Sequence, residues 1–545
     1  MKKSISVILA ILMIWCAVMP TAFAFNGSVA AKDKNPIIYL RGNGNPIYDQ
    51  YGNLSYPLTV NDDEMTSALV DALMDDFVKA VLLGKWENYY DEFEKELAKF
   101  FEGCALDENG EIANDSGIAN ACYDINRENM NTDYTNEDGN SDLFDYVFWY
   151  DWRLDPFAIA EQLDDYINHV LKVTGAEKVS IVGKCLGGSF VLAYLAEYGG
   201  EKIRRVAFDC TVGGGCEEAS DLFSGKANID FEAMERDYID QNILVYNDET
   251  ETLLNNFIIA TLEVVNETDR LKITEKAANE IYKRLSVELT PRLCMATFGC
   301  WPGYWTNVTK ESYEEAKNLI FYGAVDGYAE KYAGLLEKLD KYDRLVRQRI
   351  PELLLSINNE GVNFGVLAKY GCQISPIIES RDMLGDSLVS LHASSFGATC
   401  SKVYDTLSEE YIAKQEAAGL GKYISPDKQV DASTCVFPDS TWMIKGMTHE
   451  NWAECNDNLI YAICTSKEPL TVNSLEEYPQ YMVYSSAEDN IFKMTEDNCN
   501  VTNWDAEEIR THSIKGLFEA YRNFFKALIE YLKKLTEQQP QAFGL

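Results

Sequence analysis

Cys185 stands at the centre of Val179-Ser-Ile-Val-Gly-Lys-Cys-Leu-Gly-Gly-Ser189. An apolar, β-branched run leads into Gly183. Apolar residues at helical spacing (Phe190, Val191, Leu192, Tyr194, Leu195) lead out, so the segment reads as strand, sharp turn and helix. Gly183 and Gly187 lie two positions before and after the centre, where a tight strand-to-helix turn has no room for side chains. Gly188 adds space for the backbone to approach a substrate. This is the layout of a nucleophile elbow, with a thiol in the usual place of a hydroxyl. A buried cysteine at an ordinary glycine-rich turn would give the same local pattern, so its partners must decide.

A cysteine nucleophile gains from a histidine base oriented by a carboxylate. The chain has only four histidines. His449 follows the strand-like Thr441-Trp-Met-Ile-Lys-Gly446, which fits the chain order nucleophile, acid, histidine. His512 heads a later helical stretch, His392 falls within the segment expected to carry the acid, and His169 reads as structural. The acid is expected after the apolar stretch Asn363-Phe-Gly-Val-Leu-Ala-Lys-Tyr370. Asp386 is followed by Ser-Leu-Val, an Asp-x-x-Val arrangement that suits a carboxylate pinned in a turn; Asp382 is the alternative. Backbone N–H groups of Asn43, in Arg41-Gly-Asn-Gly44, and of Leu186 are the candidate oxyanion donors.

Positioning these groups requires a sheet. Strand patterns near 36–44, 145–150, 179–184 and 205–210 alternate with helical ones, which argues for a mostly parallel sheet with helices on both faces. The pattern turns helical from about 217 to 355, an expected cap that includes the aromatic run Phe298-Gly-Cys-Trp-Pro-Gly-Tyr-Trp305, which could line an acyl pocket or pack cap on core. The expected organisation is an α/β-hydrolase fold: a core over 25–216 with an acidic insertion at about 104–142, a cap over 217–355, and the rest of the core over 356–545. A strongly apolar helical face (Ile514, Leu517, Phe518, Tyr521, Phe525) is expected to pack near the end of the chain.

Residues 1–24 read as a cleaved signal peptide: Lys2 and Lys3, an apolar run, then Ala22-Phe23-Ala24. The expected product is exported, with no integral membrane segment after cleavage. With 48 basic against 87 acidic residues the net charge is −39, which argues against nucleic acid as a partner and suits neutral substrates. Fourteen cysteines in an exported chain suggest disulfides. With Cys16 in the signal peptide and Cys185 kept as a free thiol, twelve remain for six bridges. Cys104/Cys122, Cys210/Cys216, Cys294/Cys300 and Cys455/Cys464 are close enough to be local staples. No metal or cofactor is expected. There is no Cys-x-x-Cys, and the two acidic stretches closest to calcium loops place Ala105 and Tyr134 where the first Asp is required.

With these pieces placed, the chain resembles the lecithin:cholesterol acyltransferase/phospholipase group of α/β-hydrolases. The resemblance rests on Tyr150-Asp-Trp-Arg-Leu-Asp155, the elbow at 179–188, Gly385-Asp-Ser-Leu-Val389 and His449 in that order, and spans Pro36 to about Trp452. It implies Cys185 as nucleophile, Asp386 as acid, His449 as base, Asn43 and Leu186 as oxyanion donors, and a lipid ester or small-molecule ester as substrate. The acyl group would pass to water or to an acceptor alcohol or amine. Cys185 departs from that group's serine and is similar to the elbow of dienelactone hydrolases, which use cysteine. A thioester is more open to amines and alcohols than an ester, so transfer stands beside hydrolysis. The alternative is a non-catalytic, disulfide-stabilised binding protein on a degenerate hydrolase fold.

Overall fold

The computed structural model describes residues 35–42, 46–56, 86–118, 146–234, 269–451, 454–485 and 488–499. The signal-peptide reading, Asn43, Cys122, most of the acidic insertion and the C-terminal helical stretch lie outside them.

Eight strands form the main sheet: β1 (Ile37–Leu40), β2 (Tyr146–Val147), β3 (Val179–Lys184), β4 (Ile203–Asp209), β5 (Asn363–Tyr370), β6 (Thr441–Lys445), β7 (Tyr481–Ser485) and β8 (Asn490–Lys493). Their order across the sheet is β8-β7-β6-β5-β4-β3-β1-β2. All neighbours are parallel except β7 and β8. The strands are almost wholly buried and rich in Val, Ile and aromatic residues, as a sheet covered on both faces requires. β2 is shorter than its apolar run because the chain turns after it: Asp151 accepts from the backbone of Arg153, and the Tyr150 hydroxyl donates to the Arg41 carbonyl at 2.5 Å.

On one face, helices α2 (Pro156–Thr174) and α3 (Gly187–Tyr198) bury Ile159, Leu163, Phe190 and Leu192 against Leu40, Ile181, Phe208 and Val366. α1 (Glu87–Phe101) joins the same core through Phe93 and Leu97. On the other face, α9 (Glu454–Thr465) sets Leu459, Ile460 and Ile463 against Tyr39, Val182, Leu367 and Ile444. α2 begins on a strong local signal: Asp155 caps the amide of Phe157, with Pro156 at the first helical position.

Among the described residues, helices predominate between β4 and β5: α4 (Glu217–Phe223), α5 (Asp269–Ala296), α6 (Tyr313–Tyr322), α7 (Ala333–Leu345) and α8 (Ile350–Asn359). The aromatic run within them packs rather than lines. Trp301 and Trp305 are fully buried, Trp301 edge-on to Trp152 at 5.3 Å and Trp305 edge-on to Phe223 at 4.8 Å. The Tyr-Asp-Trp-Arg element is the docking point. Arg153 and Asp151, both 0% exposed, pair at 2.6 Å; Arg153 also reaches the Cys104 carbonyl and Ser116, and its own carbonyl accepts the Gly303 amide at 2.9 Å. One buried ion pair thus ties the start of the acidic insertion, the sheet edge and the helical block together.

Among the described residues the expected disulfides are not present: none of their twelve cysteines is joined in a disulfide. Cys455 and Cys464 lie on the single helix α9, nine residues apart, which separates them by about 13 Å along its axis, beyond disulfide reach. Cys210 follows β4 and is fully buried, whereas the Cys216 thiol points to the Leu388 carbonyl at 3.2 Å. Cys294 and Cys300 are each buried in the main core, and Cys104 is free. Acidic Asp107–Glu111 is an ordinary Asx turn, with Asp107 accepting from Asn109 and Glu111 amides, and Lys338 donates to the Asn109 carbonyl at 2.8 Å. Among the described residues no helix is long and apolar enough to cross a membrane.

Candidate active site

Register brings the carboxyl ends of the central strands to one edge: Leu40 pairs with Gly183, Lys184 with Asp209, Asp209 with Leu367, and Tyr370 with Lys445. In parallel α/β sheets that edge is where ligands bind. Cys185, Asp386 and His449 all lie just beyond it.

Cys185 has φ +50°, a left-handed conformation that a side-chain-bearing residue adopts only when its surroundings enforce it. The turn is held on both sides. The Cys185 amide donates to the Asp209 carbonyl at 3.0 Å, and the Cys185 carbonyl accepts from Gly188 and Val212 amides at 3.1 Å each and from the Thr211 hydroxyl at 3.2 Å. The glycines have the expected steric reason. A methyl group on Gly187 would lie 2.5 Å from the Leu40 carbonyl oxygen, and one on Gly183 would lie 2.8 Å from the Gly188 Cα. Leu186 opens α3, which puts its backbone N–H at the positive end of the helix.

Gly42, after β1, comes closer to the thiol than the sequence pattern indicates. A Cβ there would sit 2.8 Å from the Cys185 Cβ, 3.1 Å from its Sγ and 3.5 Å from the Leu186 nitrogen. The Gly-rich turn therefore presses its backbone against the elbow, although Asn43 itself lies outside the described residues. Lys184 does not serve the thiol: its ammonium faces Asp209, 4.0 Å away, and Asp457 on α9 adds to its environment. Burial opposes that charge, but Tyr39, Asp209 and Asp457 outweigh it and keep the lysine protonated.

Asp386 is fully buried and reaches the strand edge because the chain doubles back: Cys372 and Gly385 exchange amide hydrogen bonds at 2.9 Å in both directions. Its Oδ1 accepts from the Val389 and Leu388 amides at 2.8 and 3.2 Å, which is what the Asp-x-x-Val spacing provides. Its Oδ2 lies 2.8 Å from His449 Nδ1, and the His449 amide donates to the Asp386 carbonyl at 2.6 Å. Asp382, by contrast, faces Lys402 at the surface, 3.3 Å away.

His449 is 5% exposed, and the Cys185 thiol lies close enough to act on its ring. Asp386 occupies Nδ1, so Nε2 is the nitrogen left for sulfur. Burial opposes a charged imidazole, but Asp386 and then Cys185 outweigh it and hold the ring well above its usual value of 6.5. Burial pushes other thiols up: Cys104, Cys300, Cys435 and Cys464 to about 12, and Cys210 and Cys216 well above their usual value. His392 hydrogen-bonds to the Ala398 carbonyl at 2.9 Å, a local role in its own turn.

Two contributors escaped sequence reasoning. Thr211, which clamps the elbow carbonyl, carries no signal beyond following a strand. Lys369 does: it is a lone charge near the end of an otherwise apolar strand, and it is buried beside the histidine turn.

Residues 123–288, well under half of the chain, match the family described as alpha/beta hydrolase fold. That stretch contains the elbow and part of the helical block. No curated protein matches the chain. The mostly parallel eight-stranded sheet, flanked by helices and interrupted by a helical insertion, is the α/β-hydrolase fold.

Proposed function

We propose that this chain is an exported α/β-hydrolase that cleaves or transfers the acyl group of an ester through Cys185, His449 and Asp386. The observation that carries it is one imidazole hydrogen-bonded to a buried carboxylate and set beside a thiol held on a left-handed elbow. Such an array suits a nucleophile–base–acid relay, and its members follow the chain order nucleophile, acid, histidine.

His449 Nε2 takes the thiol proton as Cys185 Sγ attacks the acyl carbonyl carbon. The Leu186 N–H, with a donor from the turn after β1, stabilises the negative charge that develops on the oxygen. His449 then protonates the leaving alkoxide, and a thioester remains on Cys185. Water, an alcohol or an amine, deprotonated by His449, attacks that thioester and frees the thiol. Asp386 keeps the ring in the tautomer that leaves Nε2 free. The resemblance to acyltransferases and phospholipases favours a lipid ester. The leader-like residues 1–24 favour export, and the helices from α4 to α8 serve as the cap.

Intact mass of the purified protein after brief exposure to an activated acyl ester tests the proposal. An acyl adduct absent from Cys185→Ala and from iodoacetamide-treated protein is the expected outcome. Added alcohols and amines then show whether transfer competes with hydrolysis. Acylation that persists in Cys185→Ala overturns the reading, and no adduct at all returns the chain to a binding role.

A further inference from the structure

β5 is buried from Phe364 to Tyr370, and its side chains alternate between the two faces of the sheet. Gly365 lies against Ile463 of α9, and Leu367 packs in the same cluster. Lys369 is next on that face, and it is 1% exposed. Its ammonium donates to two backbone carbonyls, His449 at 3.2 Å and Asn451 at 2.5 Å. Two neutral carbonyls compensate a buried charge poorly, and an apolar side chain of similar length would fill the space without that cost. What distinguishes the position is the segment to which those carbonyls belong.

That segment joins β6 to α9 and carries the histidine. It leaves β6 at Gly446, whose amide donates to the Tyr370 carbonyl at 2.8 Å, and it turns through Thr448 and Asn451, whose side chains hydrogen-bond at 2.8 Å. Beyond the Gly446 bond, β5 reaches the turn through Lys369. We propose that Lys369 is a positioning residue for His449, an ammonium clamp that holds the histidine turn against the sheet edge so that the ring engages Asp386 and Cys185 together. The clamp rests on the triad reading above. The titratable groups around the ring are Asp386 from the acid turn and Cys185 from the elbow, with the buried Cys210 close to both Lys369 and Asp386.

The test uses the full chain and the variants Lys369→Met and Lys369→Arg. Two readouts are taken: the rate of Cys185 carbamidomethylation by iodoacetamide, resolved by peptide mass, and the His449 titration midpoint from ¹⁵N-histidine NMR. Four histidines make assignment by a His449→Gln control direct. Lys369→Met is expected to slow Cys185 alkylation at least tenfold and to lower the His449 midpoint as the ring loosens from Asp386. Lys369→Arg, which keeps donors for both carbonyls, is expected to recover most of the rate.

A fast wild-type Cys185 left unchanged by Lys369→Met overturns the clamp alone. An upward midpoint also overturns it, because that is the sign for mere removal of a nearby positive charge. A wild-type Cys185 no faster than free cysteine overturns the triad reading and the clamp with it. If Lys369→Met does not fold, Lys369→Gln, too short to reach both carbonyls, is read in its place. Failure of both to fold overturns the clamp by assigning Lys369 to the fold itself.

Discussion

His449 and Asp386, distant in sequence, are joined twice: ring to carboxylate at 2.8 Å, and backbone amide to backbone carbonyl at 2.6 Å. The second bond survives any change to the carboxylate. Asp386→Asn should therefore leave the turn in place while removing the group that selects the tautomer and favours the imidazolium. Acylation of Cys185 by an activated ester is expected to fall by about 10⁴-fold, read in stopped-flow or single-turnover assays.

The same substitution has a pH signature. His449 is raised in the folded protein above its usual 6.5, so its stabilising contribution is fully present below that pH. It is lost as pH rises through the folded value. In Asp386→Asn the His449 midpoint should move down, and the denaturation midpoint should vary less across the neutral range, as urea titrations at stepped pH would show.

Gly42→Ala places a methyl group 2.8 Å from the Cys185 Cβ and 3.1 Å from its Sγ. The obstacle is the proposed nucleophile itself, so the thiol must shift out of line with the acyl carbon. Small misplacements of reacting atoms cost about 10²-fold, and that loss is expected in acylation rate, with far-ultraviolet circular dichroism unchanged.

Glu218, in the first turn of α4, has its carboxyl raised from 4.5 to about 7 by burial, partly opposed by Ser375. Between those values the folded protein binds a proton that the unfolded chain releases, so this group's stabilising contribution declines as pH rises from about 4.5 to about 7. Glu218→Gln should flatten that part of the stability profile and raise the denaturation midpoint at pH 8. A profile as steep as wild type would count against it.

Arg153→Met leaves the Asp151 carboxylate buried without its partner and strips hydrogen bonds from Ser116 and the Cys104 carbonyl. A loss of about 3–5 kcal/mol is expected by chemical denaturation. Pairing it with Asp151→Leu should restore much of the stability, because the stranded charge is then gone too.

The local signals came from residues whose constraints are themselves local. Gly183 and Gly187 mark an elbow because a turn that tight tolerates no side chain, and Val389 marks Asp386 because a carboxylate accepts amides two and three residues on. Alternating apolar runs sufficed for the parallel sheet, and the four histidines made a short list of candidate bases. Cysteine spacing is a poor guide to pairing, since nearness along the chain says nothing of direction: Cys455 and Cys464 are drawn apart by the helix that contains both. Only the tertiary structure decided that Gly42 lies against the thiol, that Lys184 turns away to Asp209, that Trp301 and Trp305 are core, and that Lys369 reaches the histidine turn. Each of those depends on strand register and on which face a side chain takes, properties that arise when distant segments pair and that no single segment carries.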